Sequence, residues 1–265
     1  MDVISLAAWR SVPGLFISLG LLLYSGRVND IFHLSLPTLA LLIGSTFLGL
    51  GLGDLLYFRS MKLIGLARAL PLSATYPFFT LILAVVFLSE QLSWAIVGGA
   101  LLITGGAYLL GFPKGSGRIR GPAVQEMDLR GVALAVLAAM CWAVSTVILR
   151  LGLEGVDIAV ANSIRLSVLV IVLFAMLLQR KEIGRIREYG LRSLGIAFLA
   201  GVTGTGLGTF MFLAALQQAG AARTSILTAT TPLFGVPFSL VLKEKLTSRT
   251  LLGTILTVVG VWLTI

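Results

Sequence analysis

Of the 265 residues, 57% are apolar and only 12% charged, with a mean hydropathy of +1.02. A soluble domain carries about 25% charged residues, so a water-soluble globule, a disordered chain and a fibrous chain are all excluded and an integral membrane protein is expected. One Cys and one His exclude a disulfide framework and a metal cluster. The net charge is +9, and its bases stand between apolar runs. That pattern indicates membrane orientation rather than nucleic-acid binding.

A helix needs about 20 apolar residues to cross the bilayer core. Charge-free windows, two of them extended through an arginine, predict nine spans. The first covers 7–25 and contains Arg10, the second 33–53, the third 69–89 with Pro71 and Pro77, and the fourth 91–113. A basic linker over 113–130 follows. The second half then holds spans over 131–149, 159–179 with Arg165, 193–222, 223–242 with Pro232 and Pro237, and 250–265. None alternates like a barrel strand, and helices satisfy their own backbone in lipid. No cleavable leader is expected, because Asp2 and Arg10 interrupt the basic-then-apolar pattern that a leader requires.

An internal repeat organises these spans. A shift of 155 residues aligns 49–79 with 204–234, with identities at twelve of the 31 positions, including Gly65/Gly220, Arg68/Arg223, Thr75/Thr230 and Pro77/Pro232. The same shift pairs Asp2 with Asp157 and Arg10 with Arg165, and a one-residue slip pairs Glu90 with Glu244. The second copy has five spans and the first has four, so the predicted set lacks the first helix of repeat 1. The domains expected are residues 1–112 (repeat 1), 113–130 (linker) and 131–265 (repeat 2). A unit of five crossings turns the next copy upside down. Inverted repeats are a design of secondary transporters, with the solute site near the midplane between copies.

Of the twenty Lys and Arg, fifteen fall in alternate connections on one side and three (Arg27, Arg150 and Arg223) on the other. The positive-inside rule puts the richer side in the cytoplasm, with residue 1 inside and residue 265 outside.

The doubled order of motifs resembles the EamA-type transporters of the drug/metabolite transporter superfamily. It consists of an arginine early in a helix (Arg10, Arg165), a Gly-rich helix (Gly49–Ala67, Gly204–Ala222) and a proline in the next (Pro77, Pro232). A Glu-containing turn (Glu90, Glu244) and a Gly-rich last helix (Gly98–Gly106, Gly253–Gly260) complete it. The resemblance covers nearly the whole chain. It implies ten helices in two inverted five-helix repeats, a first helix that helps line the central cavity, and movement of small metabolites. It also implies a cytoplasmic C-terminus, opposite to the base count.

Several residues are candidates for the chemistry. Asp54 is an acid inside the apolar region, where a charge costs about 2.5–3.5 kcal/mol on insertion scales and marks function by default. It reads either as one half of an ion pair with Arg10 or as a proton-coupling carboxylate. Its repeat partner is Thr209. Arg10 and Arg165 read as snorkelling anchors or as partners of an anionic solute. Prolines at matching places in two halves point to a binding region. Ser73, Tyr76, Thr228 and Thr231 beside them either satisfy the bent backbone or face a cavity, and Ser45, Trp142 and Thr203 add polar or aromatic edges. The glycines of Gly49-x-Gly51-x-Gly53 and Gly204-x-Gly206-x-Gly208 lack a phosphate-loop pattern and read as helix-packing sites. Glu90 and Glu244 suit the starts of the helices that follow them. Asn162 and Gln217, near span ends, read as interfacial.

The expected fold is therefore an all-α polytopic bundle of nine spans, an incomplete inverted repeat. The expected function is secondary transport of a small organic metabolite by alternating access in the cell membrane, driven by a proton or ion gradient or by exchange. The alternative is a non-transporting assembly or regulatory subunit. No catalytic set, metal site or cofactor is expected. The partners expected are the solute and the lipid bilayer, with a homodimer compatible with the fold.

Overall fold

The computed structural model describes residues 3–91, 93–111, 128–180, 189–234 and 248–264, and every regular element in them is helical. Helix α1 spans Val3–Tyr24. After a 3-10 turn at Val28–His33, α2 (Leu36–Thr46) runs through a π-helical segment, Phe47–Gly53, into α3 (Asp54–Ile64). Then come α4 (Leu66–Ser73), α5 (Tyr76–Leu88), α6 (Trp94–Gly111), α7 (Leu129–Gly152) and α8 (Ile158–Gln179). Helix α9 (Leu191–Ala200) passes through a second π segment, Gly201–Gly208, into α10 (Thr209–Thr228). A 3-10 turn at Thr231–Phe234 follows, and Ser248–Thr264 is α11.

Among the described residues, five stretches are long and apolar enough to cross a membrane: Ile4–Tyr24, Leu36–Ile64, Leu129–Gly152, Ile158–Gln179 and Leu191–Thr228. Three shorter apolar helices, Tyr76–Leu88, Trp94–Leu109 and Leu251–Thr264, accompany them. The 38 residues of Leu191–Thr228 would measure about 57 Å at 1.5 Å per residue, against a core of about 30 Å. Gly220, at φ 83 and ψ 175, divides them, two residues before the expected boundary. The expected third span divides into α4 and α5 at Ala74 and Thr75. Pro77 falls in the first turn of α5, where its missing N–H leaves no bond unmade. The last eight residues of the expected eighth span, with Pro237, lie outside the described residues, as do Glu244 and Lys114, Arg118, Arg120, Lys181, Arg185, Arg187, Lys243 and Lys245 of the orientation count.

The chain gathers into two compact units, Met1–Gly51 with Ile148–Gln218 and Leu52–Val147 with Ala219–Ile265. In the first, α1 lies antiparallel to α8. Near its start Trp9 meets Phe174 edge-on at 5.3 Å, and near its end Ser18 meets Ser163 at 3.0 Å. Asn162, expected at an interface with water, is fully buried and donates to Ser18 Oγ at 3.1 Å. Its amide nitrogen makes this bond inside the helix pair, where few competitors exist. Helix α1 also packs on the second π segment. A Cβ at Gly206 would lie 2.9 Å from Ile17, whereas one at Gly204 would meet nothing, so the packing expected of that glycine run belongs to one face of it. Gln217 donates to the carbonyls of Leu153 (2.9 Å) and Val156 (3.0 Å), just past the end of α7.

In the second unit α6 and α11 run antiparallel in backbone contact. A Cβ at Gly99 would lie 2.7 Å from Gly260 O, and one at Gly106 would lie 2.6 Å from Gly253 O. Helices α3 and α7 are also antiparallel. Ser60 Oγ donates to Gly131 O at 2.7 Å near one end, and Asp54 meets Trp142 farther along.

Candidate solute site

Asp54 opens α3 at the point where the first π segment ends, 18 residues past Leu36 and ten before Ile64 in one continuous apolar stretch. A π segment adds a residue to a turn and redirects the side chains beyond it, and such segments gather at functional sites. The side chain is half-buried, and its Oδ1 accepts a hydrogen bond from Trp142 Nε1 of α7 at 3.0 Å.

Aromatic rings close around this pair. Tyr57 lies one turn beyond Asp54, and its ring tilts against the Trp142 indole at a centroid distance of 5.3 Å. Tyr76, the first residue of α5, approaches the same indole edge-on at 6.2 Å. Its hydroxyl donates to Ser225 O at 3.0 Å and pairs with the Thr228 hydroxyl. The Tyr57 hydroxyl turns toward Ser73, which is buried and donates to Leu70 O at 2.9 Å. Thr231 is exposed at the following turn and donates to Thr228 O at 2.6 Å.

Five of the sequence candidates, Asp54, Ser73, Tyr76, Trp142 and Thr228, thus fall in one polar and aromatic cluster, with Thr231 at its margin. The other three belong to the other compact unit. There Ser45 is buried and bonded to Leu42 O at 2.7 Å, and Thr203 is exposed and bonded to Leu199 O at 2.8 Å. Arg10 is half-buried in α1. Its repeat partner Arg165, expected to snorkel, is 6% exposed, and its Nε has no hydrogen-bond partner among the described residues. Tyr57 was missed in the sequence. Its spacing of three residues from Asp54 on a helix was the signal available.

A second contact lies elsewhere in the same unit. Gly220 ends one helical run, and the N–H groups of Ala221 and Ala222 start the next. Both donate to the Glu90 carboxylate, at 2.7 and 3.0 Å. Glu90 therefore serves this helix start, not that of α6 as expected. The bend at Gly220 leaves those donors without carbonyl partners in their own helix, and a carboxylate beside a helix start is favoured twice over. Glu244, its counterpart, lies outside the described residues. No group of His, Cys, Asp and Glu arranged to hold a metal occurs among the described residues.

Comparison with known proteins extends these observations. The EamA-like transporter family model matches residues 1–112 and 129–265. A protein of Archaeoglobus fulgidus named as an uncharacterized transporter is 26% identical over 249 residues, covering 94% of this chain and 82% of that protein. A solved crystal structure superposes with a TM-score of 0.80 over 99% of this chain and 87% of its own, and at 19% identity this likeness speaks for the fold alone. Matched over residues 1–112 and 129–265, this multi-pass membrane chain belongs to the EamA-like transporter family, a family of transporters rather than enzymes.

Proposed function

We propose that the chain is a secondary transporter that carries a small organic metabolite across the cell membrane by alternating access. Its solute site is the cluster of Asp54, Trp142, Tyr76, Thr228 and Ser73, joined by Tyr57. One observation carries this assignment: a carboxylate deep in an apolar stretch, bonded to an indole and walled by two phenols. A charge at that depth is retained where it serves solute or ion movement. Energy comes from a proton or ion gradient or from solute exchange, with Asp54 as the group that takes up or gives up the proton.

We further read the chain as two inverted repeats, 1–112 and 131–265, joined by the linker 113–130 and crossing the membrane nine times. Three features support this. Gly65 (φ 78) and Gly220 (φ 83), 155 residues apart, both break the helix in a glycine-only conformation. The two π segments occupy matching places. The α6–α11 contact is reciprocal, because Gly99 faces Gly260 while Gly106 faces Gly253, and the one-residue-slipped alignment pairs Gly99 with Gly253 and Gly106 with Gly260. Equivalent helices that meet antiparallel with exchanged contacts are what a two-fold axis in the membrane plane requires. The connections rich in Lys and Arg face the cytoplasm.

The test is counterflow into proteoliposomes with a panel of amines, amino acids, nucleosides and carboxylates. At least one class is expected to exchange, and Asp54→Asn is expected to abolish gradient-driven uptake. A folded protein that moves none of them would leave the non-transporting reading in its place.

A further inference from the structure

We propose that the solute taken at this cluster is a cation, a protonated amine or a quaternary ammonium. The inference rests on the reading of the cluster as the solute site and adds the charge of what binds there.

Three observations lead to it. The first is the combination of one carboxylate with three aromatic rings. Asp54 carries the negative charge and accepts the Trp142 N–H, Tyr57 follows it by one turn of α3, and the Tyr57 and Tyr76 rings meet the indole at centroid distances of 5.3 and 6.2 Å. Aromatic faces are electron-rich and attract a cation within about 6 Å, the indole most strongly. The carboxylate and the ring faces therefore act in the same sense. Where water is scarce a charge attraction is weakened far less than in solution.

The second is the state of the hydrogen-bond donors. The Trp142 N–H is directed at Asp54 Oδ1, and the Tyr76 O–H is held by Ser225 O and the Thr228 hydroxyl. Thr228 in turn bonds the carbonyls of Thr224 (3.0 Å) and Ser225 (2.8 Å). The groups that would greet an anionic or carboxylate-bearing solute are engaged with the protein, while the faces and the carboxylate suit a cation. The same bonds hold the rings in place, so less ordering is needed when a solute arrives.

The third is the asymmetry of the repeat. A shift of 155 residues takes Asp54, Tyr57 and Tyr76 to Thr209, Phe212 and Thr231. The Thr209 hydroxyl bonds its own helix at Gly206 O, 3.3 Å away. The matching helix thus folds without an acid or a phenol. At these three positions the acid and the phenols occur in one copy alone, as expected of groups kept for a ligand rather than for the scaffold that both copies share.

Competition follows directly. A proton on Asp54 removes the charge that the cation needs, so one leaves as the other enters, and proton and solute alternate on one carboxylate.

The experiment uses the purified full chain with tetramethylammonium and benzyltrimethylammonium as cationic probes. Benzyl alcohol and benzoate are the neutral and anionic comparisons, and binding is read by calorimetry and tryptophan fluorescence. Benzyltrimethylammonium is expected to bind at least tenfold more tightly than benzyl alcohol, with benzoate not saturating. Asp54→Asn is expected to weaken the cation at least tenfold and to leave benzyl alcohol within twofold, and Asp54→Glu to keep most of the cation affinity. Melting temperatures confirm that both variants are folded. Should Asp54→Asn fail to fold, raising the proton concentration on the unsubstituted chain should weaken the cation and not benzyl alcohol. Equal or tighter binding of benzyl alcohol or benzoate, or no saturable binding of either cation, overturns the proposal. If a neutral or anionic solute is carried and Trp142→Leu abolishes that flux, the cluster stands as the solute site and only its preference for cations falls. If flux of any solute survives all substitutions in the cluster, the site reading itself falls.

Discussion

Gly98 and Gly99 are chain neighbours in α6 that point in different directions, and they make a sharp test of how α6 meets α11. A Cβ at Gly98 would meet nothing within 4 Å. A Cβ at Gly99 would lie 2.7 Å from Gly260 O and 3.4 Å from Thr264 N, and would run into the Thr264 hydroxyl as well. Two of those obstacles are backbone, which cannot rotate away. Heavy atoms rest at about 3.5–4.0 Å, so the two helices would have to part by roughly 0.5–1 Å, a gap that forfeits a quarter to a half of the dispersion energy along the contact. Overpacking of this kind costs about 1–3 kcal/mol. Glycine to alanine in a helix returns up to about 1 kcal/mol of intrinsic propensity at either position. Gly98→Ala should therefore be neutral or stabilising, and Gly99→Ala should stand about 1–3 kcal/mol below it. On the scale of about 2–4 °C per kcal/mol for a chain of this size, thermal unfolding in detergent should separate the two melting temperatures by several degrees. Adding Gly260→Ala to Gly99→Ala should cost less than Gly260→Ala alone, since the helices have already parted and neighbouring sites do not add. Equal melting temperatures for the two single variants, or a lower one for Gly98→Ala, would refute the packing argument.

Gly65 and Gly220 both hold positive φ with extended ψ (78 and 159, 83 and 175), a region open to glycine almost alone. Each alanine substitution should cost about 1–3 kcal/mol in thermal unfolding. Gly220→Ala should be the worse because its Cβ would also lie 2.7 Å from Glu90 Oε1, while the Cβ at Gly65 meets nothing. The reverse order would show that the Glu90 contact is slack. Glu90→Gln replaces one of the two oxygens that accept from Ala221 and Ala222 with a donor. It should lower stability by about 1–3 kcal/mol, seen as a reduced melting temperature with the helical circular dichroism unchanged. No loss of stability would show that water serves those donors equally well.

The membrane class and the approximate place of most helices were legible in the residues. Lipid demands long apolar stretches and leaves the backbone no partner but its own helix. A repeated pattern was legible too, with arginine, proline and glycine in register at 65–77 and 220–232. Rotation was not. A soluble helix announces its buried face by polar residues on the other, but in lipid both faces are apolar and the pattern is silent. For that reason Gly98 and Gly99, or Gly204 and Gly206, look alike in sequence and differ completely in contact. For the same reason Tyr57 was not singled out, while Asp54, Trp142 and Tyr76 were separate candidates with nothing to show that they meet. Glu90 shows the other limit. It stands 130 residues from Gly220, and the N–H groups it holds exist as unmet donors only because the chain bends there. What the residues alone determined is the solvent and the repeat. What only the tertiary structure decided is which faces and which distant backbone groups come together, because in an apolar medium contact is set by shape and by unmet polar groups rather than by hydrophobic patterning.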